Sequence, residues 1–256
     1  MEYLKFFSVG VLGGIISGLI GIGGGVIMVP ILLYIMNVET KAATAMSMSQ
    51  VLFASISGTI FHYFQKTIKI NYALYFGLSS MPFSFLGSYL TKYIDNIVIK
   101  IVYIIAVVAI LVLFLIRYSD GNEECIFYKK RLFVIIPIGA IAGFIGGLLG
   151  LGGGFLFVPI LVCFFDFPLK IAVGTSLFAV FFNSIPGVIG KLISVKFDLY
   201  LALILGMGAV GGSWLGTYLN KKLNHKFIRI LFIIILVVAI TRVLIDLLIS
   251  FKIFKF

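Results

Sequence analysis

The chain has 256 residues, 62% of them hydrophobic and 11% charged, with a formal net charge of +11. So much apolar surface exceeds what one soluble core of this size can hide, which excludes a soluble globular domain and points to an integral membrane protein. The 20 basic residues fall in short strips between apolar runs and form no basic stripe, which argues for lipid contact and membrane topology and against nucleic acid as a partner.

In chain order, eight apolar segments are expected to be helical: 3–36, 41–64, 71–92, 96–117, 132–165, 169–191, 198–219 and 226–250. Most match a bilayer core of about 30 Å at about 1.5 Å per residue. The first and fifth are too long for one straight span. The first run, preceded by Lys5, is read as structure and not as a cleaved signal, because it recurs in mid-chain where no signal acts. Thirteen of the 23 residues from Gly10 to Leu32 reappear in order from Gly139 to Leu161. The shared core is Gly18-Leu-Ile-Gly-Ile-Gly-Gly-Gly25 with Val29-Pro30-Ile31-Leu32, against Gly147-Leu-Leu-Gly-Leu-Gly-Gly-Gly154 with Val158-Pro159-Ile160-Leu161. This is an internal duplication.

The same offset of 129 pairs Lys41 with Lys170, Ser47 with Ser176, Gly58 with Gly187 and Gly77 with Gly206. It also pairs Gly87-x-Tyr89-Leu90-x-Lys92 with Gly216-x-Tyr218-Leu219-x-Lys221. The expected organisation is therefore a first membrane repeat at 1–117, a charged linker at 118–131 and a second membrane repeat at 132–256. Whether the repeats are parallel or inverted turns on whether the long segments cross or turn back, and the pattern leaves both open.

Three adjacent glycines break a helix, each costing about 1 kcal/mol relative to alanine. Both long segments are thus expected to be broken or re-entrant, meeting at Gly21–Gly25 and Gly150–Gly154, with Pro30 and Pro159 just beyond. Unwound backbone at membrane depth is tolerated only where it is buried or lines a cavity, and a half-helix starting there aims free N–H groups at whatever lies in front. Gly23, Gly24, Gly25, Gly152, Gly153 and Gly154 are accordingly the first candidates for holding an anion. The second and sixth segments add neutral polar groups at mid-span: Ser47 and Gln50 on one helix face, and Thr175, Ser176 and Asn183 in the other half. Pro186 is expected to kink the sixth segment and, with Pro30 and Pro159, to serve as a break or gate.

Other features receive plainer readings. The glycines at four-residue spacing, such as Gly10, Gly14 and Gly18, form a small-residue packing face. Lys191 ends its segment and is read chiefly as a lysine reaching the interface, with steering of anions at the mouth as the alternative, and His62 likewise as interfacial. Asp246, four residues after Arg242, is expected to pair with it. No Asp or Glu is clearly mid-membrane, so nothing points to a coupling ion. The two cysteines, Cys125 and Cys163, suggest neither a disulfide nor a metal site. No Lys-Ser or Lys-Thr follows the glycines as a phosphate-binding loop requires, and no His-Glu-x-x-His or Gly-x-Ser-x-Gly is present, so an enzyme is not expected.

The paired Gly-Leu-x-Gly-x-Gly-Gly-Gly…Pro motifs, each opening a four-segment half, together with Ala172-Val-Gly-Thr-Ser-Leu177, resemble the sulfite exporter TauE/SafE family of permeases over nearly the whole chain. The first half departs from the pattern at Ala45-Met46-Ser47, where methionine stands in place of threonine. The resemblance implies a multi-pass protein of the inner, cytoplasmic membrane that carries a small inorganic or organosulfur anion, such as sulfite or a short sulfonate, with no cofactor. The expected mechanism is alternating access about the two breaks. The alternative is a passive anion channel using the same donors. Direction, coupling and self-association are left open.

Overall fold

The computed structural model describes residues 2–117, 132–165 and 167–253, so the strip expected as a linker, 118–131, lies outside the described residues. Among the described residues the chain is all-helical: α1 (Glu2–Ile20), α2 (Gly25–Tyr34), α3 (Thr40–Phe64), α4 (Ile70–Leu90), α5 (Asn96–Arg117), α6 (Leu132–Leu149), α7 (Gly154–Phe165), α8 (Leu169–Ser194), α9 (Leu199–Lys222) and α10 (His225–Ile253). Five of these are long and apolar enough to cross a membrane, namely α1, α5, α8, α9 and α10. The exposed side chains include Ile105 on α5 and Ile234 and Val238 on α10, apolar groups that suit a lipid surface and not water. Serine, threonine, asparagine and glutamine are found inside instead, as expected where the surroundings of the bundle offer them no partner.

Local chemistry sets several boundaries. The Asp198 carboxylate accepts from the N–H groups of Tyr200 and Leu201 at 2.9 and 3.1 Å and so starts α9. Pro168 stands at the N-cap of α8, where its missing N–H costs nothing. Pro30, Pro159 and Pro186 lie inside α2, α7 and α8, and all three helices run on through them. The two breaks lie earlier, at the glycines, and the prolines themselves interrupt no helix. Asp246 forms its ion pair with Lys100 of α5 at 2.6 Å and not with Arg242 on its own helix, because α5 and α10 pack side by side.

Where helices touch, the order of facing residues fixes their directions. Gly10, Gly14 and Gly18 of α1 lie against Leu205, Ala209 and Ser213 of α9, so these two helices are parallel. Gly139, Gly143 and Gly147 of α6 lie in the same way against Ser79, Ser80 and Ser84 of α4. The helices α3 and α8, at corresponding places in the two halves, run antiparallel, since Gly58 meets Leu177 and Gly187 meets Met48. Every major pairing recurs with the halves exchanged: α1 on α9 and α6 on α4, α3 on α9 and α8 on α4, α2 on α3 and α7 on α8, α2 on α10 and α7 on α5. Opposed α3 and α8 together with exchanged contacts form the pattern of an inverted repeat, with a two-fold axis across the helices.

The small-residue faces allow very close approach. A Cβ on Gly14 would sit 2.4 Å from the carbonyl oxygen of Ala209 and 2.8 Å from the N of Ser213, both backbone atoms that cannot swing away. Gly14→Ala should therefore destabilise the protein by about 1–3 kcal/mol, read as a lowered melting temperature in detergent, whereas Gly211→Ala, with open space where its Cβ would stand and alanine the better helix former, should leave it unchanged or slightly raised.

Candidate functional site: two facing helix breaks

Helix α1 stops at Ile20 and α6 at Leu149, and in each case left-handed glycines follow before the next helix starts. Gly24 has φ 77° and its counterpart Gly153 φ 72°, conformations that a side chain adopts only at a cost. The chain then folds back. A Cβ on Gly24 would lie 2.4 Å from the Gly13 carbonyl, and one on Gly153 would lie 3.2 Å from that of Ala142, so α2 doubles back along α1 and α7 along α6. The re-entrant form of the long segments is thus the one observed.

The two turns meet. A Cβ on Gly25 would lie 2.7 Å from the Cα of Leu151, and one on Gly154 would lie 3.0 Å from the Gly21 carbonyl oxygen. Val51 near the middle of α3 and Val180 near the middle of α8 each touch both Gly23 and Gly152. The junction therefore lies at half-height of α3 and α8.

Four carbonyls at the junction accept from side-chain donors. The Ser47 hydroxyl donates to Gly150 O at 2.9 Å and Ser176 to Gly21 O at 2.8 Å, each reaching into the opposite half. Asn220 donates to Leu19 O at 2.6 Å and Lys191 to Leu148 O at 2.8 Å, which caps the negative ends of α1 and α6. The positive ends are left open: among the described residues nothing accepts from the N–H groups of Gly24, Gly25, Gly153 or Gly154. Two fully buried carboxamides stand beside them. Nε2 of Gln50 would be 3.2 Å from a Cβ on Gly24, and Nδ2 of Asn183 2.6 Å from one on Gly153. Neither carboxamide has a hydrogen-bond partner on its N or its O. Free N–H groups at two helix N-termini, with two unused amide NH2 groups beside them, can attract negative charge and offer hydrogen bonds to its oxygens.

The structure brings together most of the residues singled out in the sequence. Gly23–Gly25, Gly152–Gly154, Ser47, Gln50, Ser176 and Asn183 all lie at the junction, buried. Ser47 and Ser176 spend their protons on the breaks themselves, so they clasp the site and do not supply it with donors. Thr175 is apart: its Oγ1 accepts from the N–H of Lys69 at 3.0 Å, beside the turn between α3 and α4. His62 is buried there too, its Nδ1 2.8 Å from Thr67 Oγ1, enclosed by protein near the end of α3. Lys191 is also buried, with its ammonium inside the protein. The sequence reading missed Val51, Val180, Thr91 and Asn220. The offset of 129 relates Val51 to Val180 and Thr91 to Asn220, a signal that was present but carried by unremarkable residue types.

A family model described as Sulfite exporter TauE/SafE matches residues 6–243. A probable membrane transporter protein of Bacillus subtilis, YunE, is 29% identical over 93% of this chain and 95% of its own length. A probable membrane transporter protein of Methanocaldococcus jannaschii is 30% identical over 87% of this chain and 88% of its own. The Arabidopsis thaliana sulfite exporter TauE/SafE family protein 3 is 32% identical over 41% of this chain and 22% of its own. No solved structure matches.

Proposed function

Because the chain belongs to the sulfite exporter TauE/SafE family, and is a multi-pass membrane transporter, we propose that it carries a small sulfur oxyanion, sulfite or a short organosulfonate, between its two glycine breaks. The observation that carries this reading is the pair of unpartnered, fully buried carboxamides of Gln50 and Asn183 facing the open N-termini of α2 and α7. Leaving an amide buried without a partner costs about 1–3 kcal/mol, so its retention at both breaks calls for a ligand. A pyramidal or tetrahedral oxyanion presents several acceptor oxygens at once, and the donors around Gly24–Gly25 and Gly153–Gly154 approach from two opposed directions.

The family also supports the cytoplasmic membrane as the location, and the inverted halves support alternating access. Val51 and Val180 fill the space between the two breaks, so an anion passes only when the halves shift relative to each other. That closure favours a carrier over an open channel.

The test is uptake of labelled sulfite, sulfate and a short sulfonate into proteoliposomes, with and without a pH gradient. Saturable uptake of one sulfur anion, competed by the unlabelled form, is the expected result. Unitary currents in place of saturable flux would replace the carrier with a channel.

A further inference from the structure

Lys191 lies on α8, eight residues beyond Asn183, and is completely buried. Its ammonium donates to Thr44 Oγ1 at 2.9 Å, Thr91 Oγ1 at 2.7 Å and Leu148 O at 2.8 Å. All three acceptors are neutral, and the ion pair found among the described residues, Lys100 with Asp246, does not involve it. A buried cation without a counter-ion is costly inside a membrane bundle, and such residues mark pathways more often than packing.

Capping alone does not explain it. At the corresponding position in the other half stands His62, and the carbonyl corresponding to Leu148 O, that of Leu19, is satisfied by the neutral Asn220. A neutral amide thus does for α1 what an ammonium does for α6. The ammonium also borders the break: Leu148 precedes Gly150 by two residues, and a Cβ on Gly150 would meet the Thr44 carbonyl.

We propose that Lys191 is a second anion subsite, taking hold of the oxyanion as it leaves the glycine breaks on the side where α3 begins and α4 and α8 end. The anion's oxygens replace Thr44 Oγ1 as acceptor, and the cage re-forms behind the departing ion. The path is asymmetric, with a lysine on this side of the junction and His62 at the corresponding position on the other. The subsite rests on the reading of the junction as an anion site.

The test uses proteoliposomes loaded with labelled sulfite and compares wild type with Lys191→Gln and Lys191→Arg. Absence of flux in the wild type refutes the parent reading and the subsite with it. Given wild-type flux, folded Lys191→Gln, which keeps a neutral cap like that of Asn220, should transport at least about tenfold more slowly at saturating sulfite, while Lys191→Arg retains measurable flux. Wild-type flux in Lys191→Gln would overturn the subsite and leave the junction standing. If Lys191→Gln does not fold, Lys191→Arg decides: retained charge predicts retained flux, and its complete loss in folded protein is the contrary result.

Discussion

Gly153→Ala should abolish transport and lower the melting temperature, while Gly211→Ala leaves transport unchanged and the melting temperature the same or slightly higher. Gly153 has φ 72°, and its new Cβ would come within 2.6 Å of the Asn183 amide nitrogen. The left-handed conformation costs a side chain about 1–2 kcal/mol, and the contact drives the amide away from the N-terminus of α7. Stability should thus fall modestly and flux severely, because the displaced group is one of the proposed ligands. Gly211 has open space around it and serves as the matched control. Thermal melts and sulfite flux on the same purified samples check both halves of the result.

The second large effect has opposite signs in stability and activity. The double variant Gln50→Met with Asn183→Leu removes two buried carboxamides that have no protein partner and replaces them with apolar side chains of similar size. Each unpartnered amide costs about 1–3 kcal/mol, so the variant should melt at the same temperature or higher. Sulfite transport should nevertheless fall by about tenfold or more, since both breaks lose a side-chain donor. A variant that melts lower and transports normally would show that these amides serve packing and not the anion.

The breaks were legible in the sequence because their cause is local. Triple glycine defeats a helix whatever surrounds it, and α1 and α6 stop where that rule places them. The relative direction of the halves was not legible. It depends on whether a segment such as 3–36 crosses or turns back, and both courses bury the same apolar residues; contacts such as Gly24 against Gly13 decide it. By type the serines suit either an anion or a carbonyl, and Ser47 and Ser176 take the second course with carbonyls 103 and 155 positions away in the chain, partners that no local pattern announces. Lys191 shows the same limit from the other side. Near a segment end it reads as a lysine reaching for the interface, but α8 continues to Ser194, and the end of α6 packs over it. Asp246 was paired with the nearest base in sequence, whereas its true partner, Lys100, comes from another helix.

At the junction, glycines allow the reversals and cross-half serines hold the two turns together, while the N–H groups at the starts of α2 and α7 and both groups of the Gln50 and Asn183 carboxamides are left open. Rocking of inverted halves about such a centre would expose it alternately to the two sides, with Val51 and Val180 parting as it opens.

The most direct measurement is equilibrium binding of labelled sulfite to purified protein in detergent, for wild type and Gly153→Ala in parallel. The account predicts saturable binding of about one anion per chain in the wild type, lost in the variant. Equal binding by both proteins would place the anion elsewhere and contradict the assignment of the glycine breaks.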